Sequence, residues 1–374
     1  MRIGVLGGGQ LGRMLALAGY PLGLRFRFLD RVAEAPAGQL AELVQGDYAD
    51  EAVLGRFAEG LELITYEFEN VPVGAANWLA ERRPVYPPPA ALEVAQDRLD
   101  EKTFFQGLGI PTPLFYPVLT QNDLLDGLER TGFPAILKTR RLGYDGKGQK
   151  LLRSSNDLET AWLQLGGQPL ILEAFVPFER ELSILAVRSR SGQVAFYPLV
   201  ENHHKGGILR KSLAPAPATP ARLQHEAEHL ALRVMEKLDY VGVLAIELFE
   251  VEGVLWANEM APRVHNSGHW TIEGAETSQF ENHLRAVLGL PLGSTAARGH
   301  SAMLNLIGLQ PNPMRVLEIP GAHLHWYGKE VRPGRKVGHM TLRADTRDAL
   351  EARLQALEAM LNQETSPFIP DSKR

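Results

Sequence analysis

The segment that decides the fold is Val243-Leu-Ala-Ile-Glu247-Leu-Phe-Glu-Val-Glu-Gly253-Val-Leu-Trp-Ala-Asn258-Glu259. It contains two runs of aliphatic and aromatic residues on either side of Glu252-Gly253, and this pattern predicts a β-hairpin. In a hairpin, residues whose numbers add to a constant face each other across the two strands. Glu247 is therefore predicted to lie opposite, or nearly opposite, Glu259 on the same face.

Two opposed carboxylates need an explanation, because like charges that face each other destabilise a sheet. A divalent cation between them supplies one, and ligands that are all oxygen favour Mg²⁺ bridging to substrate phosphates. The alternative is an edge hairpin with solvated acids, which we expect for Glu250 and Glu252. Glu247 fits that alternative badly, since its neighbours Ile246 and Leu248 are apolar and are expected to face the core.

A polar segment follows the hairpin: Met260-Ala-Pro-Arg263-Val-His265-Asn266-Ser-Gly268-His269-Trp-Thr271. The planar guanidinium of Arg263 suits a carboxylate-like anion such as bicarbonate. His265 and His269 have the chemistry of metal ligands, but no third soft ligand lies nearby in the sequence. Contact with a substrate, or a structural role, is the favoured interpretation for both.

A glycine-rich loop lies upstream. Lys138 ends an apolar strand, and the loop Arg141-Leu-Gly-Tyr-Asp-Gly-Lys-Gly-Gln149 that follows is typical of a flexible cover over a polyphosphate. It is not a Walker loop, because it lacks Gly-Lys-Ser/Thr. The alternative is an exposed hairpin turn at Asp145-Gly146.

The N-terminus carries a second glycine loop, Gly7-Gly-Gly-Gln-Leu-Gly12, between an apolar strand and a helix. It fits G-x-G-x-x-G, and Asp30 ends the next strand, where dinucleotide-binding proteins have a ribose-binding carboxylate. The motif alone leaves a dinucleotide, a phosphate monoester and a tight turn without ligand open. A third strand, Leu61 to Tyr66, completes a parallel α/β unit.

Length and composition limit the architecture and the class of partner. A chain of 374 residues predicts two or three packed units, and Pro87-Pro88-Pro89 indicates a boundary near residue 95. No apolar run approaches the roughly 20 residues of a membrane span, and the N-terminus lacks a signal-peptide pattern, so we expect a cytoplasmic protein. A net charge of −5 gives no case for nucleic acid, and the absence of cysteine excludes disulfides and thiolate ligands.

Six strings together resemble the 5-(carboxyamino)imidazole ribonucleotide synthase family of the ATP-grasp superfamily. They run from the first glycine loop to residue 339 and so cover nearly the whole chain. The strings are Gly-Gly-Gly-Gln-Leu-Gly-Arg-Met, Tyr-Glu-Phe-Glu-Asn-Val, Gln-Asp-Arg-Leu, Gly-Tyr-Asp-Gly-Lys-Gly-Gln, Asn-Glu-Met-Ala-Pro-Arg-Val-His-Asn-Ser-Gly-His and Val-Arg-Pro-Gly-Arg-Lys-Val-Gly-His.

The resemblance implies an ATP-grasp fold of mixed α/β and α+β class. It comprises an N-terminal Rossmann-like domain with a parallel sheet (1–95), a small lid domain (96–178) and a large domain (179–374). The large domain ends in a small, mainly β unit from about residue 300.

The resemblance also implies site residues. Those implied for ATP are Arg98, Lys138, Gly143, Tyr144, Asp145, Gly146, Lys147, Gly148, Gln149, Glu173, Ala174, Phe175, Val176, Glu181, His204, Asn258 and Glu259. Mg²⁺, or Mn²⁺ in its place, would be held by Glu247 and Glu259. Ala261 stands where many ATP-grasp enzymes have an asparagine, which leaves the number of metal ions open. The implied catalytic residues are Arg263, His265, Asn266 and Asp145, and those for substrate are Gly9, Gln10, Leu11, Glu67, Glu69, Lys329, Arg335 and Lys336.

The activity implied by the resemblance is the ATP- and bicarbonate-dependent carboxylation of the amine of 5-aminoimidazole ribonucleotide, in purine synthesis. A homodimer and transfer of the product to a mutase are implied as well. Three alternatives stay open at this point: another ATP-grasp ligase, such as a formate-dependent glycinamide ribonucleotide transformylase; a nicotinamide oxidoreductase built on the first glycine loop; and a nucleotide-binding regulator without activity.

Overall fold

The computed structural model describes residues 1–143 and 146–365. Tyr144 and Asp145, which the family resemblance assigns to the nucleotide loop, lie outside the described residues. Within the described part of the chain, no helix has both the length and the apolar character needed to cross a membrane.

The N-terminal unit is a parallel sheet flanked by helices. Its strands have the order β3-β2-β1-β4. The strands are β1 (Arg2–Leu6), β2 (Arg25–Asp30), β3 (Glu42–Gln45) and β4 (Leu63–Tyr66), and the helices are α1 (Gln10–Gly19), α2 (Glu51–Ala58), α3 (Val73–Ala80) and α4 (Pro89–Ala95). Strand β3 was not predicted, because this short edge strand is exposed at both ends and lacks an apolar run.

The lid unit begins at a helix boundary that sequence periodicity does not show. Residues 91–108 have continuous helical spacing, yet α4 ends at Ala95 and α5 (Arg98–Gly107) starts anew. The side chain of Asp97 caps α5 by accepting a hydrogen bond from the Leu99 amide at 3.0 Å. The antiparallel lid sheet has the order β5-β8-β6-β7. Its elements are β5 (Phe115–Val118), α6 (Gln121–Thr131), β6 (Ala135–Thr139), β7 (Gln149–Leu152), α7 (Leu158–Leu165) and β8 (Leu170–Ala174).

The large unit is built on a third sheet, with the strand order β14-β13-β9-β11-β12-β15-β17-β16 and β10 paired to β9. Its strands are β9 (Arg180–Arg188), β10 (Val194–Phe196), β11 (Val200–Lys205), β12 (Ile208–Ala214), β13 (Gly242–Val251), β14 (Val254–Ala261), β15 (His300–Ile307), β16 (Ala322–Trp326) and β17 (Lys336–Ala344). Its helices are α8 (Ala221–Lys237), α9 (Thr271–Gly274), α10 (Gln279–Leu288), α11 (Pro313–Leu317) and α12 (Arg347–Thr365).

Two features of this sheet position the site. The segment Val194 to Val200 has the apolar content of one strand, but it is divided between β10 and β11 because Pro198 cannot donate a ladder hydrogen bond. The C-terminal strands join the same sheet through antiparallel pairing of β12 with β15. Lys336, at the start of β17, therefore belongs to the same sheet as the β13–β14 hairpin. The predicted α/β and α+β fold class is confirmed.

Candidate active site

A cavity of about 610 Å³ opens where the three units meet. The structure brings most of the predicted site residues into its lining. They are Gln10, Leu11, Glu67, Glu69, Arg98, Lys138, Gly143, Gly146, Gln149, Glu181, His204, Glu247, Asn258, Glu259, Arg263, His265, Asn266 and Lys336. Among the described residues, the predicted ones that do not line the cavity are Gly9, Lys147, Gly148, the segment 173–176, Lys329 and Arg335.

The predicted register of the acidic hairpin is confirmed. Glu247 pairs directly with Glu259, whereas the next residue, Leu248, pairs with Ala257. Strand β14 therefore has one extra residue, Asn258, which forms a β-bulge. A bulge re-aims side chains locally, and this one explains how the neighbours Asn258 and Glu259 both line the cavity.

The carboxylate pair has the electrostatics of a cation site. Burial, followed by the charge of Glu259, raises the pKa of Glu247 to about 8. Arg98 lies 3.8 Å from Glu259, and the His265 ring lies 3.5 Å from Glu247. In the described part of the chain, no group of three or more His, Asp or Glu side chains is arranged to hold a metal ion. Two carboxylate ligands fit Mg²⁺, which takes its other ligands from water and substrate phosphates.

The prediction for Glu250 was wrong. We expected a solvated acid, but the side chain is buried and forms an ion pair with Arg180 at 2.5 Å. Arg180 stands 70 residues away in sequence, on the neighbouring strand β9. Glu252, at the turn itself, is exposed as expected.

A lysine and a histidine that line the cavity are each bound to a glutamate. Lys138 donates to Glu173 at 2.9 Å, and both side chains are buried. The carboxylate of Glu173 therefore points into an ion pair and away from the cavity. His204 shares a 2.7 Å hydrogen bond with Glu181, and although burial lowers the pKa of His204, this bond raises it above its ordinary value.

The first glycine loop is occupied by a carboxylate from the same chain. The amides of Gly9, Leu11 and Gly12 donate to Glu67 at 2.8, 3.1 and 3.1 Å. A Cβ at Gly9 would overlap this carboxylate. Asp30 accepts from Gly8 at 2.7 Å. The loop amides that would bind a pyrophosphate in a dinucleotide protein are therefore already bound to Glu67 and Asp30, which disfavours the dinucleotide alternative.

The C-terminal basic residues differ in position. Lys329 donates to Gln10 at 2.5 Å, so it reaches the first glycine loop although it does not line the cavity. Lys336 lines the cavity. Arg335 is exposed and donates to the Glu330 carbonyl at 3.4 Å. Lys329 and Lys336 are thus better placed than Arg335 to meet a ligand.

Arg263 is held by Glu69, another predicted site residue. Its Nε donates to Glu69 at 2.5 Å, a second guanidinium nitrogen contacts the same oxygen, and Nη1 donates to the Val264 carbonyl at 2.9 Å. Burial favours the neutral form of Glu69, but Arg263 lowers its pKa below the ordinary value. Burial, together with Arg263 and Lys336, lowers the pKa of His265 well below its usual range. The ring is therefore neutral at pH 7.

Three family models match the chain. They are the ribonucleotide synthetase preATP-grasp domain at residues 1–96, the ATP-grasp domain at 103–280 and the phosphoribosylaminoimidazole carboxylase C-terminal domain at 301–353.

Full-length relatives share one description. The N5-carboxyaminoimidazole ribonucleotide synthase of Pseudomonas aeruginosa is 55% identical over 361 residues, covering 96% of this chain and 99% of the relative. The crystal structure of N5-carboxyaminoimidazole ribonucleotide synthetase from Thermus thermophilus is 68% identical, has a TM-score of 0.93 and covers 96% and 98% of the two chains. The chain belongs to the N5-carboxyaminoimidazole ribonucleotide synthase family.

A more distant structure carries ligands. The N5-carboxyaminoimidazole synthase of Aspergillus clavatus, in complex with ADP and 5-aminoimidazole ribonucleotide, is 32% identical, has a TM-score of 0.90 and covers 97% and 98% of the two chains. As a member of the synthase family, the chain is an ATP-dependent carbon–nitrogen ligase with the ATP-grasp fold. The oxidoreductase, transformylase and inactive-regulator alternatives are therefore excluded.

Several residues that line the cavity were not predicted from the sequence. Phe178 and Phe249 stack with ring centroids 4.7 Å apart, and both line the cavity. Strand alternation could have found Phe249, since it lies two residues after Glu247 and so on the same face. Glu101, in helix α5, also lines the cavity. No local signal separates it from the other charged residues of that helix.

Proposed function

We propose that this cavity is where the chain carries out the reaction of its family, the ATP-dependent carboxylation of 5-aminoimidazole ribonucleotide by bicarbonate. The observation that carries the proposal is the directly opposed pair Glu247 and Glu259, with Lys138 and Arg263 lining the same cavity. A cation site, a phosphate-binding lysine and an anion-binding arginine within one cavity are what transfer of the γ-phosphoryl group to bicarbonate requires.

In this proposal, ATP lies between the lid and the large unit. Lys138 and the lining residues Gly143, Gly146 and Gln149 face its phosphates, while Glu181 and His204 lie beside its ribose. The stacked rings of Phe178 and Phe249 offer an apolar wall for the adenine. Mg²⁺, held by Glu247 and Glu259, would neutralise charge on the phosphate oxygens when bound.

In this proposal, bicarbonate binds on the side of the Glu247/Glu259 pair that faces away from the adenine and ribose of ATP. A bicarbonate oxygen attacks the γ-phosphorus, the bond to ADP breaks, and carboxyphosphate forms. Some N–H groups of Arg263 bind Glu69 and the Val264 carbonyl, and its remaining N–H groups orient the bicarbonate. The Ser267 amide donates to Nδ1 of His265, so the neutral ring carries its proton on Nε2 and acts as a donor to the anion. Asn266 supplies a further polar group at the cavity wall.

5-Aminoimidazole ribonucleotide enters beside the first glycine loop. Because Glu67 already occupies the loop amides, the loop offers the side chain of Gln10 to the ribose and does not cradle a phosphate. Lys329 and Lys336 are the proposed phosphate ligands, supported by the contact of Lys329 with Gln10 and by the place of Lys336 in the lining. The substrate amine then attacks the carboxyl carbon, phosphate leaves and the amine loses a proton.

The proposal extends to the assembly and location of the protein. We infer a cytoplasmic homodimer of chains with units 1–95, 96–178 and 179–374, which hands its product to a carboxyaminoimidazole ribonucleotide mutase. The support for the dimer, the handoff and the compartment is the family resemblance alone.

The test is ADP release from purified protein with Mg-ATP and bicarbonate, in the presence and absence of 5-aminoimidazole ribonucleotide. Release that needs both bicarbonate and this ribonucleotide is the expected result. Glycinamide ribonucleotide with formate serves as the control pair. Stimulation by the control pair alone would overturn the proposed substrate, and absence of ATP turnover under every condition would overturn the proposed activity.

A further inference from the structure

A buried lysine that none of the proposed roles uses lies behind the nucleotide side of the cavity. Lys102, on helix α5, is 1% exposed. Its ammonium donates to the Asn258 carbonyl at 2.6 Å and lies 3.6 Å from Oε2 of Glu173. A fully buried lysine costs considerable desolvation free energy, so such a residue is rarely kept without a partner of opposite charge.

Glu173 joins this lysine to a residue of the cavity. Its Oε2 accepts from Lys138 at 2.9 Å, so both ammonium groups approach the same oxygen. Burial alone would favour the neutral acid, but the two lysines lower the pKa of Glu173 to about 2. Two lysine side chains thus approach one carboxylate oxygen, and of the two only Lys138 lines the cavity.

The contacts of Lys102 connect three parts of the fold. Lys102 belongs to the helix that enters the lid, Glu173 to lid strand β8, and Asn258 to the edge strand β14 of the large sheet. The preceding residue, Glu101, accepts a hydrogen bond from the Met260 amide at 2.6 Å. Helix α5 therefore holds β14 on both sides of Glu259, the proposed metal ligand.

We propose that Lys102 is a positioning residue for the ATP site: through Glu173 it directs the Lys138 ammonium toward the nucleotide phosphates, and through Asn258 it fixes the lid relative to the strand that carries Glu259. Without Lys102, Lys138 would be the remaining lysine beside the buried carboxylate of Glu173. Its ammonium would then be drawn toward Glu173 and away from the phosphates. This inference rests on the ATP site of the proposed function.

The experiment measures ADP binding by calorimetry, in EDTA and in Mg²⁺, for the wild type and for Lys102→Met. Removal of the lysine is expected to weaken ADP binding by about tenfold or more in both conditions, which is the usual effect of losing a group that orients a ligand-binding side chain. The KM for ATP should rise, while the KM for 5-aminoimidazole ribonucleotide should not change. A purely structural role would lower the active fraction and leave both KM values unchanged.

Lys211→Met is the matched control, because it also breaks a Lys–Glu pair, with Glu358 at 3.0 Å, but does so away from the cavity. It should bind ADP like the wild type. Lys102→Gln, which keeps a donor for the Asn258 carbonyl without the charge, gives a second variant if Lys102→Met does not fold. It should bind ADP as weakly as Lys102→Met is expected to.

Glu173→Gln tests the pathway. If Lys102 acts through Glu173, adding Lys102→Met to Glu173→Gln should weaken ADP binding by less than Lys102→Met does alone. Fully additive effects, or folded Lys102 variants with wild-type affinity for ADP, would overturn the inference while leaving the proposed function intact. Absence of ADP binding by the wild type would instead overturn the proposed ATP site.

Discussion

Glu247 and Glu259 face each other directly across the β13–β14 pair, with the bulge at Asn258 setting their register. Burial, and after it the charge of Glu259, disfavours the ionised form of Glu247. A fold that keeps two carboxylates in this arrangement is less stable without a cation than one with a neutral residue at either position. We therefore expect a cation held by this pair to stabilise the hairpin.

Glu259→Gln tests this link. The change removes the like-charge repulsion, so the Mg²⁺-free protein should be more stable than the wild type by up to about 1 kcal/mol. The increase in melting temperature that Mg²⁺ gives with ADP should disappear, and ATP turnover should fall by about a hundredfold. Thermal melts in EDTA and in Mg²⁺ measure the first two effects. Glu252→Gln, at the exposed turn of the same hairpin, should behave like the wild type. A lower melting temperature for Glu259→Gln in EDTA would contradict the proposed repulsion.

Glu67→Gln tests the internal anion of the first glycine loop. A glutamine has one acceptor oxygen where the carboxylate has two, so at least one buried amide loses its partner. The free energy of unfolding should fall by about 1–3 kcal/mol. The KM for 5-aminoimidazole ribonucleotide should rise, because the loop that presents Gln10 is no longer fixed, while the KM for ATP should not change.

The control for that prediction is Glu62→Gln, an exposed carboxylate that also accepts from a backbone amide, that of Arg2 at 3.2 Å. It should change neither stability nor either KM measurably. A Glu67→Gln protein with wild-type KM for the ribonucleotide would show that the loop does not form the ribonucleotide site.

Local pattern was sufficient to predict the acidic hairpin. The turn at Glu252-Gly253 fixes the register within a few residues, and alternation then determines which side chains share a face. The bulge at Asn258 could not be predicted, because it depends on how β14 packs against helix α5, which contacts it from more than 150 residues earlier in the chain.

Long-range partners explain where the sequence reasoning failed. From the sequence, the amides of the first glycine loop could have bound an external anion. In the structure they bind the carboxylate of Glu67, which lies 58 residues from Gly9 in the chain. Glu250 was expected to be exposed because its partner, Arg180, is also distant in sequence, and no residue near Glu250 indicates that the two would pair. A sequence shows the type and charge of each side chain, but it does not show which distant residue will pair with a charge that becomes buried.

His283 predicts a pH dependence of stability. It is fully buried, accepts from the Val243 amide at 3.1 Å and shares a 2.8 Å hydrogen bond with Thr65. Burial lowers its pKa to about 3. Below pH 6.5, His283 binds a proton in the unfolded chain but stays neutral in the folded protein. The stability that the neutral, buried His283 contributes is therefore complete above pH 6.5. It falls by about 1.4 kcal/mol per pH unit from there toward pH 3.

His283→Asn removes the titrating group. The variant should be less stable than the wild type at pH 8, because packing and a hydrogen bond are lost, but the difference should shrink as the pH falls from 6.5 to 5. Urea unfolding at several pH values measures it. The exposed His225→Asn variant should keep the wild-type slope, and an unchanged slope in His283→Asn would contradict a neutral buried ring.

Arg263→Lys tests the proposed bicarbonate ligand. Lysine keeps the positive charge but lacks the planar guanidinium. The guanidinium can bind Glu69 and still offer further N–H groups to an anion, whereas the ammonium of lysine cannot do both in the same geometry. Loss of such a donor should lower bicarbonate-dependent kcat/KM by about 10²–10³. The KM for ATP should stay near that of the wild type, since the proposed function assigns Arg263 to bicarbonate and not to the nucleotide. Initial rates at varied bicarbonate measure this, with Arg298→Lys, which alters a surface pair with Glu276, as the control. A selective rise in the KM for 5-aminoimidazole ribonucleotide would assign Arg263 to positioning Glu69 instead.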